Sequence, residues 1–499
     1  MGTRFTRRQF LAGVGASATY LALMNTVGCD PRKSTSRVRL LPGASSTSPN
    51  DVWAFRTRPD LGPPVVEIAK KAHGDTAPGY IFVSPDEGDA AQGGALIVDD
   101  RGQVVWFHHT QRRAMDLKVQ DYRGKPVLTW GEMGGEYVIF DCSSSEIARL
   151  HAGNGYNGDH HEFLITPQDT ALITIYDPAP WDLTPVGGPK ESVATQGIIQ
   201  ELDIETGDVL FEWHSLDHVG LEETYARPGE HHDLRGIDYF HINSIDVDHD
   251  NNLLISARQT STVYKIDRTT GEIIWRLCGK KSDFEMGPGT RFAYQHDARR
   301  QPDGTITIFD NGTTVFDNGY PESVEESRAI VLDLDEERMC ATLVREYTHP
   351  DKQYADAAGN MQVLPNGNAF IGWGRALTLS EFSKDGELLF DARLPTGNKS
   401  YRAFRFPWSA HPNDRPAAVA ERTSEDEVRV YASWNGATEV ATWEVLAGPR
   451  PDQLEFLDSV PRNGFETDML VQSSRPYLAV RARDSSGELL GASSPIKPL

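Results

Sequence analysis

Three histidines, His161, His241 and His296, occupy the same place in a repeated pattern of strands. In each repeat the histidine stands at the start of a strand, and a turn rich in Pro, Asn, Asp and Gly connects that strand to a second, apolar one. Four-stranded repeats that are arranged radially line a central channel with their first strands. The three imidazoles, 80 and 55 positions apart in the chain, are therefore predicted to meet at one end of that channel.

An arginine and an asparagine join this predicted cluster through strand pairing. Counting residues across the hairpin turn of the His241 repeat sets Asn243 opposite Arg258, both near the channel mouth. A guanidinium offers several donors in a fixed fork, which suits a planar or tetrahedral oxyanion. Arg258 is therefore predicted to hold an anion, with Asn243 beside it.

The same counting adds two more side chains in the repeats that follow. It sets His296 near Asp310, whose carboxylate would orient the imidazole, and it sets Asn360 near Trp373. The indole of Trp373 is a candidate wall for an aromatic ligand.

Two kinds of site fit three imidazoles. Neutral imidazoles are ligands for zinc, copper or iron, so a metal site is one interpretation. Arg258 argues against it, because a fixed cation beside a divalent metal is electrostatically costly unless an anion lies between them. An anion site that contains a nucleophile is the favoured interpretation. No G-x-x-x-x-G-K-[ST] motif is present for a nucleotide donor.

The elements that must position these residues are short strands. The chain has 44 Gly and 30 Pro, and segments long enough for amphipathic helices are scarce, which favours an all-β fold. One four-strand unit recurs, and its first copy lacks an inner strand. Residues Tyr401–Phe406, after the sixth unit, would supply that strand and close the ring without an open sheet edge. We predict a six-bladed β-propeller over residues 78–410.

Other segments lie outside this predicted ring. Alternating strands and tight turns predict a small β-sandwich over residues 411–499, which resembles a fibronectin type III-like module. Residues 30–77 are predicted to be a linker or extension. The long insertion at 214–240 is predicted to form a lid over the channel mouth.

The N-terminus has the pattern of an export signal. Arg7 and Arg8 precede an apolar, Ala- and Gly-rich stretch too short for a stop-transfer helix, and residues 1–29 resemble a twin-arginine signal peptide. The residues that end at Cys29 look like a degraded lipoprotein box. The predicted location is the cell envelope or the extracellular space, with membrane attachment only through a lipid on Cys29.

Charge and cysteine content exclude several functions. The 49 basic and 72 acidic side chains give a net charge of −23, which would repel nucleic acid and anionic membrane surfaces. The cysteines beyond Cys29 are Cys142, Cys278 and Cys340. They are too few for a disulfide framework, and no Cys or His spacing indicates zinc.

Three short stretches together resemble the arylsulfate sulfotransferase (arylsulfotransferase) family. They are His161–Phe163, His241–Ser244 with Arg258, and Gln295–Asp297. Members of that family are exported six-bladed propellers that need no nucleotide sulfate donor. The better-known members also carry a separate N-terminal β domain and a disulfide, neither evident here, so the resemblance is to a divergent branch with an added C-terminal sandwich.

The resemblance implies a role for each matching residue. His296 would be the nucleophile that forms a sulfohistidine intermediate. His241, Asn243 and Arg258 would hold the sulfuryl oxygens, and His161 and His241 would be the acid and base.

This chemistry suits the residue types. Sulfuryl transfer resembles phosphoryl transfer, in which positioning and cationic stabilisation supply most of the catalysis. A neutral imidazole can attack sulfur without a metal, so no cofactor is expected. The predicted partners are an aryl sulfate and a phenolic acceptor in a ping-pong scheme. A non-catalytic ligand-binding propeller and a metal- or quinone-dependent propeller enzyme are the alternatives.

Overall fold

Short strands joined by tight turns make up almost all the regular structure of the chain. The computed structural model describes residues 37–41, 46–47, 51–88, 91–229, 236–312 and 326–499. Nearly every regular element in these residues is a strand, which confirms the predicted all-β class. The predicted export signal, Cys29 and residues 231–233 of the predicted lid lie outside the described residues.

The segment predicted as a linker or extension contributes strands to the fold. Its strands are β1 (Val38–Leu40), β2 (Ser46–Thr47), β3 (Trp53–Ala54) and β4 (Glu67–Lys70). β2 pairs with β3, whereas β1 and β4 join sheets formed by later strands. Backbone pairing of β1 and β4 thus ties this segment to distant parts of the chain.

Six sheets with four main antiparallel strands each follow. Sheet 1 contains β5 (Tyr80–Pro85), β6 (Gly94–Val98), β7 (Val104–His109) and, from later in the chain, β30 (Ser400–Phe406). Sheet 2 contains β8 (Ala114–Tyr122), β9 (Lys125–Glu132), β10 (Glu136–Phe140) and β11 (Glu146–His151). Sheet 3 contains β12 (Gly158–Ile165), β13 (Thr170–Trp181), β14 (Ser192–Asp203) and β15 (Val209–His214), and the short β16 (Ile237–Asp238) pairs parallel to β14. Sheet 4 contains β17 (Ile242–Val247), β18 (Leu253–Ala257), β19 (Thr262–Ile266) and β20 (Ile273–Cys278).

Sheets 5 and 6 complete the series. Sheet 5 contains β22 (His296–Arg300), β23 (Ile306–Asp310), β24 (Arg328–Asp335) and β25 (Cys340–Thr348), and the short β21 (Glu285–Met286) pairs parallel to β25. Sheet 6 contains β26 (Asn360–Val363), β27 (Ala369–Gly372), β28 (Thr378–Phe382) and β29 (Leu388–Arg393), and β4 pairs with β29 at the edge of this sheet. Helical structure in the described residues comprises α1 (Ser215–His218) and 3₁₀ turns at Thr184–Val186, Leu221–Glu223 and Gly374–Ala376. None of these helices has the length and hydropathy of a membrane span.

The β17–β18 hairpin shows why these sequences form strands. Strand β18, which is apolar except for Ser256, is fully buried, because both faces of the sheet are covered by neighbouring sheets. The turn places Asn251 at a φ of 69°, a left-handed conformation that asparagine tolerates. The Asp248 N–H donates to the Asn252 carbonyl at 2.8 Å and closes the turn.

Strand β30 (Ser400–Phe406) joins the two ends of the series. It pairs antiparallel with β5, with Phe406 opposite Tyr80, so the expected pairing of this segment with the first unit is confirmed. The first strands β8, β12, β17, β22, β26 and β30 contact one another in a closed cycle. The starts of these six strands therefore lie close together.

The last strands form two sheets that share one apolar core. They are β31 (Ala417–Ser424), β32 (Glu427–Ser433), β33 (Thr442–Arg450), β34 (Gln453–Pro461), β35 (Glu466–Gln472), β36 (Tyr477–Arg483) and β37 (Leu489–Ala492). One sheet has the order β1-β35-β32-β31 and the other β34-β33-β36-β37. Val430, Trp443 and Leu478 lie in the core between them. The Asn435 side chain both accepts from and donates to the backbone of Phe107, which covers the edge of β7.

Candidate active site

The three predicted histidines lie in one cluster of rings, in which Tyr401 contacts His161 and His296, and His241 contacts His161. His161 is in β12, His241 immediately precedes β17, and His296 begins β22. The ring centroids of His161 and His241 are 5.3 Å apart, and the Tyr401 ring lies 5.3 Å from His161 and 6.1 Å from His296. The structure therefore brings these distant residues together at the starts of the first strands.

His161 is held between a carboxylate and an aromatic ring. Its Nδ1 hydrogen-bonds to the Asp159 carboxylate, and its ring stacks on Tyr176 with centroids 5.1 Å apart. Burial alone would raise the pKa of Asp159, but the neighbouring His161 and His160 outweigh that effect and lower it. The ionised carboxylate leaves Nε2 of His161 for other partners.

His241 has a similar carboxylate partner. Its Nδ1 hydrogen-bonds to Asp238 in β16, and its backbone adopts a φ of 56°. A non-glycine residue at positive φ is strained and is held there by its surroundings. Burial lowers the pKa of His241, as do the adjacent charges of Arg258 and His161. The ring is therefore neutral at neutral pH.

His296 is the most enclosed of the three, with 1 % of its surface exposed. Its Nδ1 lies 2.7 Å from Oδ1 of Asn311, and its Nε2 accepts from the Ala358 N–H at 3.2 Å. Burial, reinforced by the nearby Arg258 guanidinium, holds the pKa of His296 well below its usual value. His296 is therefore a neutral imidazole with its lone pair on Nε2.

The residue that orients His296 differs from the one predicted. His296 pairs with Phe309, and a bulge between His296 and Arg299 shifts the register that counting assumed. Asp310 instead accepts from two backbone N–H groups and pairs with Arg328. The predicted contact with Asp310 is thus replaced by the neighbouring amide of Asn311.

Arg258 lies beside the histidines, although not through the predicted pairing. Because of a bulge in β17, the backbone N–H of Arg258 donates to the carbonyl of His241 at 2.9 Å, and Arg258 does not lie opposite Asn243. The guanidinium lies 4.6 Å above the Tyr294 ring, and Nη2 donates to the Asp356 carbonyl at 3.0 Å. Within the described part of the chain, its buried Nε has no hydrogen-bond partner. One donor of the fork is thus available to an anion.

Asn243 is the bulged residue and is fully buried. Its Nδ2 donates to the Gln295 carbonyl at 2.7 Å, and its Oδ1 is unpartnered among the described residues. Its own carbonyl accepts from the Tyr401 hydroxyl at 3.1 Å and from Arg402 at 2.8 Å. The side chain therefore keeps one amide hydrogen and a carbonyl oxygen without protein partners.

Trp373 is not part of this cluster, which corrects the prediction that it forms a wall of the site. Its indole is wholly buried in the apolar core with Phe309 and Phe382, and its Nε1 donates to Ser380. Asn360 pairs with Gly372, one residue away from the predicted partner, so Trp373 faces the opposite side of the sheet. No face of the indole is left for a ligand.

Six charged side chains next to the imidazoles form a buried network that the sequence did not predict. The members of this channel ion network are Asp116, Lys118, Glu162, Asp297, Arg299 and Arg402. Lys118 Nζ lies 2.6 Å from both Asp116 and Glu162, and Arg402 Nη1 lies 2.8 Å from Asp116. Three cations balance three carboxylates, which satisfies charges that are costly to bury alone.

One group of side chains has the spacing of a metal site. This group is Asp159, His160 and His161, each of which offers one ligand atom. The three ligand atoms lie within 4.8 Å of one another, and no other set of three His, Cys, Asp or Glu residues among the described residues meets this criterion. This set differs from the predicted triad of three histidines. Burial lowers the pKa of His160 to about 4, so its ring is neutral at neutral pH.

A family model for arylsulfotransferases (ASST) matches residues 118–394, more than half of the chain. The match contains all the histidines of the cluster together with Arg258 and Asn243. The chain therefore belongs to the arylsulfotransferase family, and this membership supports a transferase enzyme.

Solved structures give more distant similarities. A protein of unknown function from Bacteroides caccae is 13 % identical, with 66 % of this chain and 98 % of that chain covered and a TM-score of 0.40. Virginiamycin B lyase from Staphylococcus aureus is 8 % identical, with coverages of 81 % and 99 % and a TM-score of 0.34. Hydrazine synthase from Kuenenia stuttgartiensis is 13 % identical, with coverages of 68 % and 86 % and a TM-score of 0.34. Among curated proteins, none matches this sequence.

Proposed function

We propose that this protein transfers a sulfuryl group from an aryl sulfate to a phenolic acceptor without a nucleotide donor. The observation that carries the proposal is the convergence of His161, His241 and His296 in one cluster of rings with Tyr401, with Arg258 beside them. Nucleophile, acid, base and anion-binding cation are the parts that such a reaction needs.

The proposal includes the arrangement that holds the site. The six sheets form a six-bladed β-propeller over residues 78–410, with the channel mouth at the starts of the first strands. The closed cycle of contacts between those strands supports it. Residues 411–499, with β1 added to one sheet, form the fibronectin type III-like sandwich, which docks on the ring and takes no part in the chemistry.

In the first half-reaction, His296 is the nucleophile. The Nε2 lone pair forms a bond to sulfur as the bond from sulfur to the aryl oxygen breaks. The departing oxygen takes its electron pair and receives a proton from His161, or from His241 in its protonated form, which is the minor form of that ring at neutral pH. Such proton transfer contributes about 10²- to 10⁴-fold to the rate. The low pKa of His296 supports this role, because the ring is not protonated at neutral pH.

Arg258 and Asn243 hold the oxygens of the group in transfer. The Nε of Arg258 and the second amide hydrogen of Asn243 are donors that have no partner among the described residues. Preorganised donors of this kind stabilise developing negative charge without reorganisation cost.

In the second half-reaction, the acid of the first becomes the base. The neutral imidazole removes the proton of the acceptor phenol as the phenol oxygen attacks sulfur, and the bond between sulfur and Nε2 of His296 breaks. Asp159 and Asp238 hold Nδ1 of His161 and His241 and stabilise the imidazolium that forms. The cycle returns every proton to its starting position and requires no cofactor.

We also propose that the protein is exported through the twin-arginine pathway and works in the cell envelope or outside the cell. The Arg7-Arg8 pattern supports export, and a lipid on Cys29 would retain the protein at a membrane. Phenols and aryl sulfates are small enough to reach a channel mouth there, whereas a nucleotide donor would have to be exported.

The test is turnover of a chromogenic aryl sulfate with and without a phenol. Wild-type protein is expected to release phenolate at a rate that depends on the acceptor, with parallel double-reciprocal lines, and His296→Asn is expected to be inactive and folded. Phenol release by neither protein would favour a ligand-binding function. Activity that a chelator abolishes and a divalent metal restores would favour a metal enzyme built on Asp159, His160 and His161.

A further inference from the structure

Three hydrogen bonds form a closed ring around His296. Nδ1 of His296 contacts Oδ1 of Asn311 at 2.7 Å, Nδ2 of Asn311 donates to the Ala358 carbonyl at 2.9 Å, and the Ala358 N–H donates to Nε2 of His296 at 3.2 Å. Asn311 is fully buried, so water does not compete for these bonds. The ring ties both nitrogens of the imidazole to fixed groups.

The contacts of Asn311 determine which nitrogen of His296 carries the proton. The Asn311 amide nitrogen faces two carbonyls, those of Ala355 at 2.8 Å and Ala358 at 2.9 Å, and only a donor can satisfy both. Its oxygen must then face His296 and accept, which requires a proton on Nδ1. The lone pair is left on Nε2, the nitrogen that the proposed reaction uses.

The partner of His296 differs in charge from the partners of the other two histidines. Nδ1 of His161 and of His241 meets a carboxylate, whereas Nδ1 of His296 meets two neutral oxygens, Oδ1 of Asn311 at 2.7 Å and the Tyr294 carbonyl at 3.1 Å. A carboxylate stabilises an imidazolium and can accept its proton, while an amide oxygen cannot take that proton at any ordinary pH. The histidines that exchange protons and the histidine that exchanges a sulfuryl group thus have different hydrogen-bond partners at Nδ1.

We propose, resting on the function above, that Asn311 is a positioning residue that fixes the tautomer of His296 and keeps the sulfuryl–imidazole bond easy to break. When Nε2 bonds to sulfur, the ring still holds its Nδ1 proton and carries a positive charge opposite the sulfonate. The second half-reaction then expels a neutral imidazole, with the electron pair of the nitrogen–sulfur bond returning to Nε2. If Nδ1 lost its proton, the leaving group would be an imidazolate, which is far poorer.

The Ala358 N–H has a related role. It caps the Nε2 lone pair before transfer, and it loses that acceptor once nitrogen bonds to sulfur. The sulfuryl oxygens are then the acceptors beside it. Asn311 holds this amide in place through the Ala358 carbonyl, so one side chain positions both the nucleophile and a backbone donor.

The test compares Asn311→Asp with a matched control, Asn360→Asp. Both residues are buried amides that bridge backbone groups, and within the described residues the Asn360 side chain bonds only the backbone of Ala403. At alkaline pH, where the new carboxylate at position 311 is ionised, it pairs with the positive charge of the sulfated ring and stabilises this intermediate relative to the neutral imidazole that must leave. Asn311→Asp is expected to release one phenol per enzyme in a burst, after which steady turnover falls by about 10²-fold and sulfated enzyme accumulates. Asn360→Asp is expected to show neither effect.

A second measurement is independent of turnover. In wild-type protein with ¹⁵N-labelled histidine, the His296 signals, assigned by their loss in His296→Asn, are expected to show a protonated Nδ1 and an unprotonated Nε2. Asn311→Leu removes the shorter of the two acceptor contacts at Nδ1 and leaves the Tyr294 carbonyl at 3.1 Å, so it is expected to raise the Nε2–H population above the wild-type level.

The two measurements separate the positioning role from the proposed function. An Nε2–H tautomer in the wild type, or no burst and no accumulation in Asn311→Asp while the wild type turns over, would overturn the role of Asn311 and leave the sulfotransferase intact. A correct tautomer in a protein that turns over no aryl sulfate would overturn the proposed function, and with it the claim about the sulfuryl–imidazole bond.

Discussion

Removing Arg402 from the channel ion network is expected to destabilise the protein severely. The Arg402 side chain has no exposed surface, and its nitrogens lie 2.8 Å from Asp116, 3.2 Å from Glu162 and 3.4 Å from Asp297. Arg402→Met would leave three buried carboxylates facing two cations. Removing one partner of a buried ion pair lowers the free energy of unfolding by about 3–5 kcal/mol. This is a large share of the roughly 5–15 kcal/mol that is usual for a folded domain.

Charge balance, and not the loss of a long side chain, should account for that cost. The double variant Arg402→Met with Asp116→Asn restores equal numbers of cations and carboxylates, so we expect it to recover about 2 kcal/mol relative to Arg402→Met alone. Arg402→Lys keeps the charge and is expected to lie between Arg402→Met and the wild type. Burial raises the pKa of Asp116, so protonation of that carboxyl favours the folded state. The deficit of Arg402→Met should therefore shrink as the pH falls.

Denaturant titrations followed by tryptophan fluorescence give these free energies of unfolding directly. Equal denaturant dependence in all variants would show that the differences arise in the folded state. A loss of under about 1 kcal/mol in Arg402→Met, or a double variant no more stable than the single one, would refute the reasoning that the network is a balanced set of buried charges.

Three further predictions concern residues in and around the site. Arg258→Ala is expected to lower kcat by at least about 10²-fold in the aryl sulfate assay, as expected for loss of one oxyanion donor, and a wild-type rate would show that Arg258 is structural. Trp373→Phe is expected to cost about 1–3 kcal/mol in denaturant titrations and to leave kcat/KM of the folded enzyme unchanged, because the indole packs in the core. His160 has a pKa of about 4 in the folded protein against 6.5 ordinarily, so the unfolded chain binds the proton first as the pH falls. Above pH 6.5 His160 is neutral in both states and does not lower the free energy of unfolding. Between pH 6.5 and pH 4 the unfolded chain binds the proton and the folded protein does not, so the free energy of unfolding falls by on the order of 3 kcal/mol. His160→Asn should remove that part of the pH dependence.

The cluster of histidines was predictable because it depends on the repeat and not on atomic detail. His161, His241 and His296 share one repeat position, and any radial arrangement of the repeats brings that position together. The closing strand was predictable for a similar reason, since an unpaired strand in one unit and a spare strand elsewhere satisfy each other.

The partners of those histidines were not predictable by counting, because side chains on a strand alternate between faces and a slip of one residue reverses them. Bulges in β17 and β22 shift the pairing near Arg258 and His296, and nothing in the apolar pattern specifies a bulge. The same one-residue slip places Trp373 in the core.

The channel ion network left a signal in the sequence that composition alone obscures. Glu162 follows His161, Asp297 follows His296, and Arg402 follows Tyr401, so a charged residue stands after each ring residue on three first strands. The signs of these charges become meaningful only when the strands are placed around one axis, where Lys118 and Arg299 complete the balance.

The most direct test of the account is to find where the sulfuryl group rests between the two half-reactions. Protein mixed with an aryl sulfate in the absence of a phenol, quenched at alkaline pH and digested, is expected to carry one SO₃ group on the peptide that contains His296, and a phenol added before the quench should remove it. A labelled His161 or His241 peptide, or wild-type protein that turns over with no labelled peptide at all, would contradict the assignment of His296 as the nucleophile.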